Sequence, residues 1–315
     1  MPVARRWVRL VGLLQATACI TALVSLATLL DRLHRLIELF SHFRLQYLIA
    51  SLMLAAMFMA LRRGGWSLLM IAVVAVNGWA VAPWYLGDRP QSEGATPSVT
   101  ILLANVHGHR NEPDRLIELM RSEQPDIVFL LEINEQWLHS MRQLQGIYRY
   151  SYAVSRADNF GIAVLARDPF ISVDRHDGPP AGLPSLIVRT AIAGQPLTLV
   201  STHPMPPIGR RGFAGRNRQL ADIAEVVTAL DDPLVLIGDL NTSMWAHHYK
   251  ALVKATGLYD ARDGFGVIPS WPTRLPFAMI PIDHCLVSRD LVVLDIAAGP
   301  HIGSDHLPLL VSLAL

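Results

Sequence analysis

A carboxylate and a carboxamide, Asp239 and Asn241, follow the branched apolar run Leu234–Ile237 at its carboxyl end. Such a run is typical of a strand buried on both faces, so the two polar side chains would emerge at the end of a buried sheet. Carboxylates at that position suit the binding of a hard cation or the removal of a proton. Asp and Asn after Gly238 also favour an Asx-turn, so this stretch alone leaves a catalytic and a purely structural interpretation open.

Polar side chains of the same kinds stand at the ends of other predicted strands. Asn105, Glu132 and His203 each follow an apolar strand. Asp283 and His306 instead stand at the start of theirs. All these groups can meet at one edge only if the last two strands run opposite to the others, which predicts a mixed sheet or a pair of mixed sheets.

The elements that must position these groups can be outlined from the apolar periodicity. Besides the run before Asp239, strands are predicted at Val99–Ala104, Ile127–Leu131, Tyr148–Val154, Gly161–Arg167, Leu186–Ala193, Pro196–Ser201, Ile282–Val287 and Leu307–Leu313. Helices are predicted at Glu112–Glu123, Arg218–Leu230 and Thr242–Thr256. Neighbouring side chains alternate along a strand, so Asp283, and not His284, is expected to face the site.

Residues 1–86 differ in composition from the rest of the chain. The whole sequence is 51 % hydrophobic and 17 % charged, and these residues hold nearly all of the apolar excess. Three apolar runs, Val8–Leu30, Leu45–Leu61 and Trp66–Leu86, each approach the roughly 20 residues that a helix needs to cross a bilayer. They predict a transmembrane region of about three helices at residues 1–86, a polar linker at residues 87–98 and a water-soluble domain at residues 99–315.

The arginines around the apolar runs predict an orientation. Five of them lie on the same side of the predicted membrane region as the amino terminus, and four lie on the opposite side. By the positive-inside rule, this small excess places the amino terminus inside the cell. An odd number of spans then places the domain after residue 98 outside the cytoplasm.

The charge of that domain bears on its substrates. It carries 18 Lys and Arg against 22 Asp and Glu, which disfavours extended, non-specific binding of duplex nucleic acid. The segment Pro204–Arg218, predicted as a loop, is locally basic, with Arg210, Arg211, Arg216 and Arg218 interleaved with glycines. Guanidinium groups match phosphate oxygens, so Arg210 and Arg211 are expected to bind a second phosphate or a lipid head group. A basic loop beside an anionic membrane surface is the alternative.

Seven short motifs occur in order along the domain. They are LLANVHG at 102–108, LLEIN at 130–134, FGIAVLAR at 160–167, STHP at 201–204, IGDLN at 237–241, IDHCLVS at 282–288 and GSDHLP at 303–308. Together they resemble the endonuclease/exonuclease/phosphatase superfamily, and the resemblance covers residues 99–315. It implies the deoxyribonuclease-I-like α/β fold, a four-layer α/β sandwich with two mixed β-sheets, here preceded by an N-terminal transmembrane helical segment. That segment resembles the anchors of certain bacterial members, which implies a multi-pass protein of the bacterial inner membrane with an extracytoplasmic catalytic domain.

The resemblance also implies an activity, a divalent-metal-dependent phosphoester hydrolase of the phosphodiesterase, phosphatase or nuclease kind. The ion would be Mg²⁺, with Mn²⁺ as the alternative. Glu132 would be its principal ligand, and Asn105 would lie beside the metal and touch phosphate or a ligand water. Asp305 would bind the metal or orient His306. A single strong carboxylate is sufficient, because Mg²⁺ keeps several waters and binds substrate phosphate.

The remaining roles follow from the same resemblance. Asp239 and Asn241 would position and deprotonate the attacking water. His306, held in the right tautomer by Asp283, would be a charged donor to the phosphoryl oxygens or the acid–base partner. His203 would donate to the non-bridging oxygens as charge develops. Whether Asp239 or His306 takes the proton of the water stays open.

Other side chains near these motifs leave alternatives open. His107 and His109 either contact substrate or are solvated loop residues, and Trp271 is either a wall of the pocket or plain core. The substrate would be a phospholipid, a nucleic acid or a small phosphoester, and the other partner is the lipid bilayer. The alternative function is a non-catalytic membrane protein that uses the same fold to bind a partner. The complete set of metal and water-positioning residues favours the enzyme.

Overall fold

The computed structural model of this chain describes residues 2–87, 98–110, 112–231 and 233–315. The chain forms two parts, which we call the helical segment (residues 2–87) and the sandwich (residues 98–315). Apart from its first and last residues, the linker predicted at residues 87–98 lies outside the described residues.

The helical segment is apolar along most of its length. Its α-helices are α1 (Pro2–Ala27), α2 (Arg35–Ser41), α3 (Arg44–Ala60), α4 (Gly64–Val81) and α5 (Pro83–Leu86). By length and composition, two stretches are able to cross a bilayer: Arg9–Leu33 with 25 residues and Gly64–Val81 with 18. Helices α2 and α3 meet at a bend of 66° and form a third candidate span if they are counted as one. These candidates overlap the three predicted apolar runs.

The sandwich consists of strands with helices between some of them. Its strands are β1 (Val99–Asn105), β2 (Ile127–Leu131), β3 (Tyr150–Val154), β4 (Ile162–Ala166), β5 (Phe170–Gly178), β6 (Leu183–Ile192), β7 (Gln195–Ser201), β8 (Leu234–Asp239), β9 (Tyr259–Asp260), β10 (Asp283–Val287), β11 (Val292–Ala298) and β12 (Leu309–Ala314). Its α-helices are α6 (Pro113–Glu123), α7 (Glu135–Met141), α8 (Gly209–Thr228) and α9 (His247–Thr256).

The strands form two mixed sheets. The first has the order β11-β12-β1-β2-β4-β3, and the second has the order β5-β6-β7-β8-β10-β9. Strands β1 and β2 run parallel, as do β7 and β8. Strand β12 is antiparallel to β1, and β10 is antiparallel to β8. The prediction that the last two strands of the site run opposite to the others is therefore confirmed.

The two sheets pack face to face through alternate side chains of their strands. Ile101 and Phe129 of the first sheet meet Leu199 and Ile237 of the second in one buried cluster. Helices α6 and α7 cover the outer face of the first sheet, and α8 and α9 cover that of the second. The order helix, sheet, sheet, helix is an α/β sandwich, and its strand ends present one common edge.

Helix α8 begins at Gly209, so the predicted loop Pro204–Arg218 and the predicted helix start at Arg218 are both wrong. Two of the glycines that indicated a loop, Gly212 and Gly215, are positions of close packing. A Cβ atom on Gly212 would lie only 2.5 Å from the carbonyl oxygen of Pro206. The missing side chain therefore lets the first turns of the helix lie directly against the preceding loop.

Three strands, one helix and one helix start also differ from expectation. Strands β5, β9 and β11 and helix α7 were not expected. Most side chains of β5 are exposed or half-buried, and β9 has only two residues. Strand β11, with the sequence VVLDIAA, carries an apolar run that sequence reasoning missed. Helix α9 begins at His247 instead of Thr242. The residues before it form a buried loop that contacts the helical segment: the backbone N–H of Ser243 donates to Nδ1 of His42 at 3.3 Å.

The helical segment is held against the sandwich by apolar and polar contacts. Val81 joins the buried cluster beneath α8 and α9. The indole N–H of Trp245 donates to the carbonyl oxygen of Ala80 at 3.0 Å. The amide of Gln46 donates to the carbonyl oxygen of Met279 at 2.6 Å. Helices α3 and α4 therefore pack directly on the part of the chain that carries the predicted site.

Candidate active site

A cleft of about 790 Å³ opens at the edge where β2, β7 and β8 end. Six of the predicted site residues line it: Glu132, His203, Asp239, Asn241, Asp305 and His306. Asn105 and Asp283 lie directly behind this lining, hydrogen-bonded to Asp239 and His306 respectively. The groups that the sequence places at separate strand ends are therefore gathered in one place.

Asn105, the last residue of β1, joins the two sheets at the floor of the cleft. Its side-chain amide donates to Oε1 of Glu132 at 3.1 Å and to Oδ2 of Asp239 at 3.2 Å. Its own Oδ1 accepts a hydrogen bond from the backbone N–H of His107 at 3.2 Å. Because all of these bonds orient a buried amide, Asn105 fixes the separation of two carboxylates that belong to different sheets.

Glu132 follows β2 and has a left-handed backbone conformation, with φ of 63°. That conformation is uncommon for a residue with a side chain and occurs where the surrounding structure imposes it. Its Oε2 atom is buried and accepts no hydrogen bond from the described residues. A buried carboxylate oxygen without a donor is costly, so this atom indicates a position for a cation.

Asp239, at the end of β8, lies between two imidazoles. Its Oδ2 atom is 3.4 Å from Nε2 of His203 and 3.6 Å from Nε2 of His306. Burial alone would raise the pKa of Asp239, but the charge of His306 and the neighbouring His203 lower it to about 2. Burial alone would lower the pKa of His203, but Asp239 outweighs this effect and raises it. The cluster therefore favours a deprotonated Asp239 between protonated His203 and His306.

Asp283 and His306 form a second carboxylate–imidazole pair. Asp283 stands opposite Asp239 in the register of β10 and β8, and its Oδ2 lies 2.8 Å from Nδ1 of His306. Burial alone would lower the pKa of His306, but the carboxylates of Asp283 and Asp239 raise it to about 10. His284 points to the opposite face of the strand, as alternation predicts, and its Nε2 donates to the carbonyl oxygen of Thr242 at 2.7 Å.

His107 lies between two carboxylates at the rim of the cleft. Its Nδ1 is 3.2 Å from Oδ1 of Asp305 and 4.0 Å from Oε2 of Glu132. Neither of these two oxygens accepts a hydrogen bond from the part of the chain that the structure describes. The other carboxylate oxygen of Asp305 accepts the indole N–H of Trp271 at 3.1 Å. Of the alternatives left open by the sequence, His107, His109 and Trp271 all line the cleft.

Two groups of side chains have the chemistry to hold a cation. Glu132 and Asp305 each offer a buried carboxylate oxygen that accepts no hydrogen bond from the described residues. Asp239, Asp283 and His306 have ligand atoms within 4.8 Å of one another, but His306 is already bonded to Asp283. Hard divalent ions take oxygen ligands and retain waters. The residues therefore fit such an ion best at Glu132.

Asn241 is held by its backbone, and two arginines do not reach the cleft. Its N–H donates to Oδ1 of Asp239 at 2.9 Å, and its carbonyl oxygen accepts Nη1 of Arg216 at 2.9 Å. Arg216 is fully buried, so its predicted place on an exposed basic loop is wrong. Arg210 and Arg211 are exposed in the first turn of α8 and are not among the residues that line the cleft.

Sequence reasoning missed one wall of the cleft, which belongs to the helical segment. Arg35 and Leu39 of α2 and Phe43 after it line the cleft. Phe160 of the sandwich was also missed, and its ring centre lies 5.6 Å from that of His203. Phe160 opens one of the recognised motifs and so carried a signal, whereas no motif marks α2.

Comparison with known proteins agrees with this geometry. Residues 102–306 match the model of the family described as "Endonuclease/Exonuclease/phosphatase family". No curated protein matches the chain by sequence.

Several solved structures are similar in fold. D. rerio TDP2 complexed with single strand DNA product is 19 % identical with a TM-score of 0.57, over 69 % of this chain and 99 % of that chain. An endonuclease/exonuclease/phosphatase from Beutenbergia cavernae DSM 12333 is 18 % identical with a TM-score of 0.57, over 69 % and 71 %. The human Nocturnin catalytic domain with bound sulfate anion is 16 % identical with a TM-score of 0.57, over 72 % and 98 %. At these identities, the likeness shows a shared fold.

Proposed function

Because this chain belongs to the endonuclease/exonuclease/phosphatase family, whose members hydrolyse phosphoester bonds, we propose that it is a membrane-anchored phosphoester hydrolase that requires a divalent metal ion. The observation that carries the proposal is Oε2 of Glu132, a buried carboxylate oxygen that accepts no hydrogen bond from the described residues. It lies in a cleft that also gathers two imidazoles and a second carboxylate, Asp239.

Glu132 and Asp305 would hold the ion, and Asn105, whose amide N–H donates to Glu132, would lie beside it. These are oxygen ligands, which suit Mg²⁺ and also Mn²⁺. When bound, such an ion supplies positive charge to the phosphoryl oxygens. The amide of Asn105 keeps Glu132 and Asp239 at a fixed separation, so the ion and the attacking water would be held in a constant relation.

The other residues of the cleft would handle the water and the developing charge. We assign water orientation and proton acceptance to Asp239, whose neighbour Asn241 shapes the turn around it. His306 has carboxylates near both ring nitrogens, so it keeps its protons and serves as a donor to phosphoryl oxygens. Asp283 fixes its orientation. His203 would donate to a non-bridging oxygen as negative charge increases in the transition state.

The substrate class is a phosphoester: a phospholipid, a nucleic acid or a small phosphoester. Similar structures were solved with a single strand DNA product and with a sulfate anion, and a phosphate site is compatible with both. Arg210 and Arg211 stand next to Ile208 and Gly209, which line the cleft, so they are proposed to bind a second phosphate or an anionic membrane surface.

The helical segment is proposed to anchor the enzyme in the bacterial inner membrane. Its candidate spans are long and apolar enough to cross a bilayer, and the arginine distribution favours an extracytoplasmic sandwich. A reporter fused after Leu315 should then signal on the outer side of the membrane. A signal from the cytoplasm would reverse this topology.

The test of the hydrolase uses the full chain purified in detergent. Hydrolysis of chromogenic phosphomonoesters and phosphodiesters is measured with Mg²⁺, with Mn²⁺ and with chelator, and Mn²⁺ binding is followed separately by electron paramagnetic resonance. Glu132→Gln should lose both metal-dependent hydrolysis and tight Mn²⁺ binding. The matched control is Glu135→Gln, which alters an exposed glutamate in the first turn of α7.

Two outcomes would contradict the proposal in different ways. Metal-dependent hydrolysis retained by Glu132→Gln would remove that residue from the metal site. No hydrolysis by the wild type with either ion would favour the alternative, a non-catalytic membrane protein that binds a partner with the same fold.

A further inference from the structure

The cleft has a polar floor and an apolar wall. The floor consists of the carboxylates and imidazoles of the candidate site. The wall consists of Leu39, Phe43, Phe160, Ile208 and Ile280. A substrate that is polar throughout would leave this wall facing water, whereas an apolar group placed there would be removed from water at a gain in free energy. The lining therefore favours a substrate with a charged end and an apolar end.

Part of this wall belongs to the helical segment and is fixed in place. Leu39 lies in α2, and Phe43 lies in the two-residue break at which α2 and α3 bend by 66°. Between them, Nδ1 of His42 is 2.8 Å from the hydroxyl oxygen of Ser243. Glu38, on the same helix, forms a fully buried ion pair with an arginine of α8. These bonds hold the segment that carries Leu39 and Phe43 in a fixed position at the cleft.

Apolar side chains continue from the wall to the outside of the molecule. Ile208 lines the cleft and is 79 % exposed. Phe277 is also 79 % exposed, and Gln46 of α3 is hydrogen-bonded to the carbonyl oxygen of Met279 in the same loop. Exposed large apolar side chains beside an apolar helix suit contact with lipid. The cleft therefore opens where the helical segment would meet a membrane.

We propose that the substrate is a lipid phosphoester from the bilayer that holds the helical segment, with its phosphate on the floor of the cleft and its apolar chain against Leu39 and Phe43. This inference rests on the proposed hydrolase function and names its substrate class. Hydrolysis forms a bond from phosphorus to the water oxygen and breaks the ester bond, and the leaving oxygen takes the proton that the water gives up. Arg35, whose Nε has no hydrogen-bond partner among the described residues, offers a cation for the head group.

The test compares substrates that differ only in chain length. The full chain in detergent is assayed with Mg²⁺ on dodecyl and methyl p-nitrophenyl phosphate, and on dodecyl and methyl phosphate, so that diester and monoester activities are both covered. We expect kcat/KM to be about tenfold or more higher for the dodecyl compounds, because every methylene that leaves water adds to binding. Micelles alone concentrate long-chain substrates, so the decisive comparison is between variants.

Leu39→Ala and Phe43→Ala should reduce the ratio of dodecyl to methyl kcat/KM several-fold. Phe40→Ala is the matched control, because Phe40 lies on the same helix, is exposed and is not among the residues lining the cleft. Equal kcat/KM for both chain lengths, or a higher value for a single-stranded oligonucleotide, would contradict the proposed lipid substrate. Neither result would contradict the hydrolase function. An unchanged ratio in both wall variants would overturn the role of the helical segment. If none of these compounds is hydrolysed, the proposed hydrolase function is contradicted.

Discussion

Glu38 of α2 and Arg216 of α8 form a salt bridge in which both side chains are fully buried, with Oε1 of Glu38 2.5 Å from Nη2 of Arg216. Nη1 of the same guanidinium donates to the carbonyl oxygen of Asn241 at 2.9 Å. Asn241 donates its backbone N–H to Oδ1 of Asp239. A continuous series of bonds therefore runs from the helical segment to the carboxylate proposed to orient the water.

Glu38→Gln should destabilise the chain and lower kcat. The variant leaves the buried guanidinium of Arg216 without its counter-ion, which typically costs about 3–5 kcal/mol. It also frees Arg216 to move, so the turn at Asn241 is held less well. We expect a lower midpoint of thermal unfolding in detergent and a larger change in kcat than in KM. Glu123→Gln, an exposed change at the end of α6, should alter neither quantity.

A double variant separates positioning from stability. Glu38→Leu with Arg216→Met removes both charges, so no buried charge is left unpaired and much of the stability should return. The donor to the carbonyl oxygen of Asn241 is still missing, so kcat should stay low. Recovery of kcat together with stability would contradict the positioning role of Arg216.

Asp283→Asn should disable His306 while keeping the shape of its partner. Against the lowering effect of burial, Asp283 contributes most to the raised pKa of His306, so the variant should shift that pKa downward from about 10. Loss of an oriented, charged donor to the phosphoryl oxygens should reduce kcat by about 100-fold or more. The imidazole titration is followed by NMR in metal-free protein, with the exposed Asp290→Asn as control. An unchanged titration would argue against the pairing.

A buried charge cluster behind the site predicts a pH-dependent stability. Asp260 accepts hydrogen bonds from the hydroxyl of Tyr249 at 2.5 Å and from the backbone N–H of Arg262 at 2.9 Å. Burial alone would raise the pKa of Asp260, but Arg262 and then His284 lower it to about 2. Because the folded pKa lies below the unfolded one, near 3.9, the stabilisation is complete above about pH 5 and is lost as the pH falls through 2.

Asp260→Asn should therefore be more destabilising at pH 6 than at pH 3. The charge contributes about 2 kcal/mol to the free energy of unfolding at neutral pH, and this part disappears in acid. Urea unfolding of the wild type and the variant at both pH values gives the difference. The control is Asp168→Asn, which changes an exposed carboxylate. A difference between wild type and variant that is independent of pH would show that the charge of Asp260 contributes nothing.

Strand directions in the sandwich could be predicted because each site residue marks one end of a strand. Asn105 ends β1, Glu132 directly follows β2, and Asp283 begins β10. These side chains can meet at one edge only if the sheets are mixed, as the structure shows. The edge strands β5 and β11 could not be found in this way. The side chains of β5 are largely exposed or half-buried, so burial selects no apolar pattern there. Strand β11 has an apolar sequence, VVLDIAA, but no site residue marks either of its ends.

The contribution of the helical segment to the cleft could not be predicted either. Glu38 and Arg216 are 178 positions apart, and a glutamate among apolar residues is equally typical of an interfacial position. The glycines near Arg216 suggested a loop, although Gly212 serves close packing of a helix. The sequence pattern of a strand identifies residues whose role depends on their position in that strand. It does not identify residues whose role depends on a partner far away in the sequence.

His203→Gln should lower kcat more than it changes KM. The imidazole of His203 lies 3.4 Å from Asp239, and its buried Nδ1 has no hydrogen-bond partner among the described residues, which suits a donor to phosphoryl oxygen. A donor that acts on charge developing in the transition state is worth about 10²–10³ in kcat, and glutamine supplies a hydrogen bond without the charge. The control, His139→Gln, alters an exposed histidine of α7. If KM rises while kcat is unchanged, His203 binds the substrate and the transition state equally and has no catalytic role.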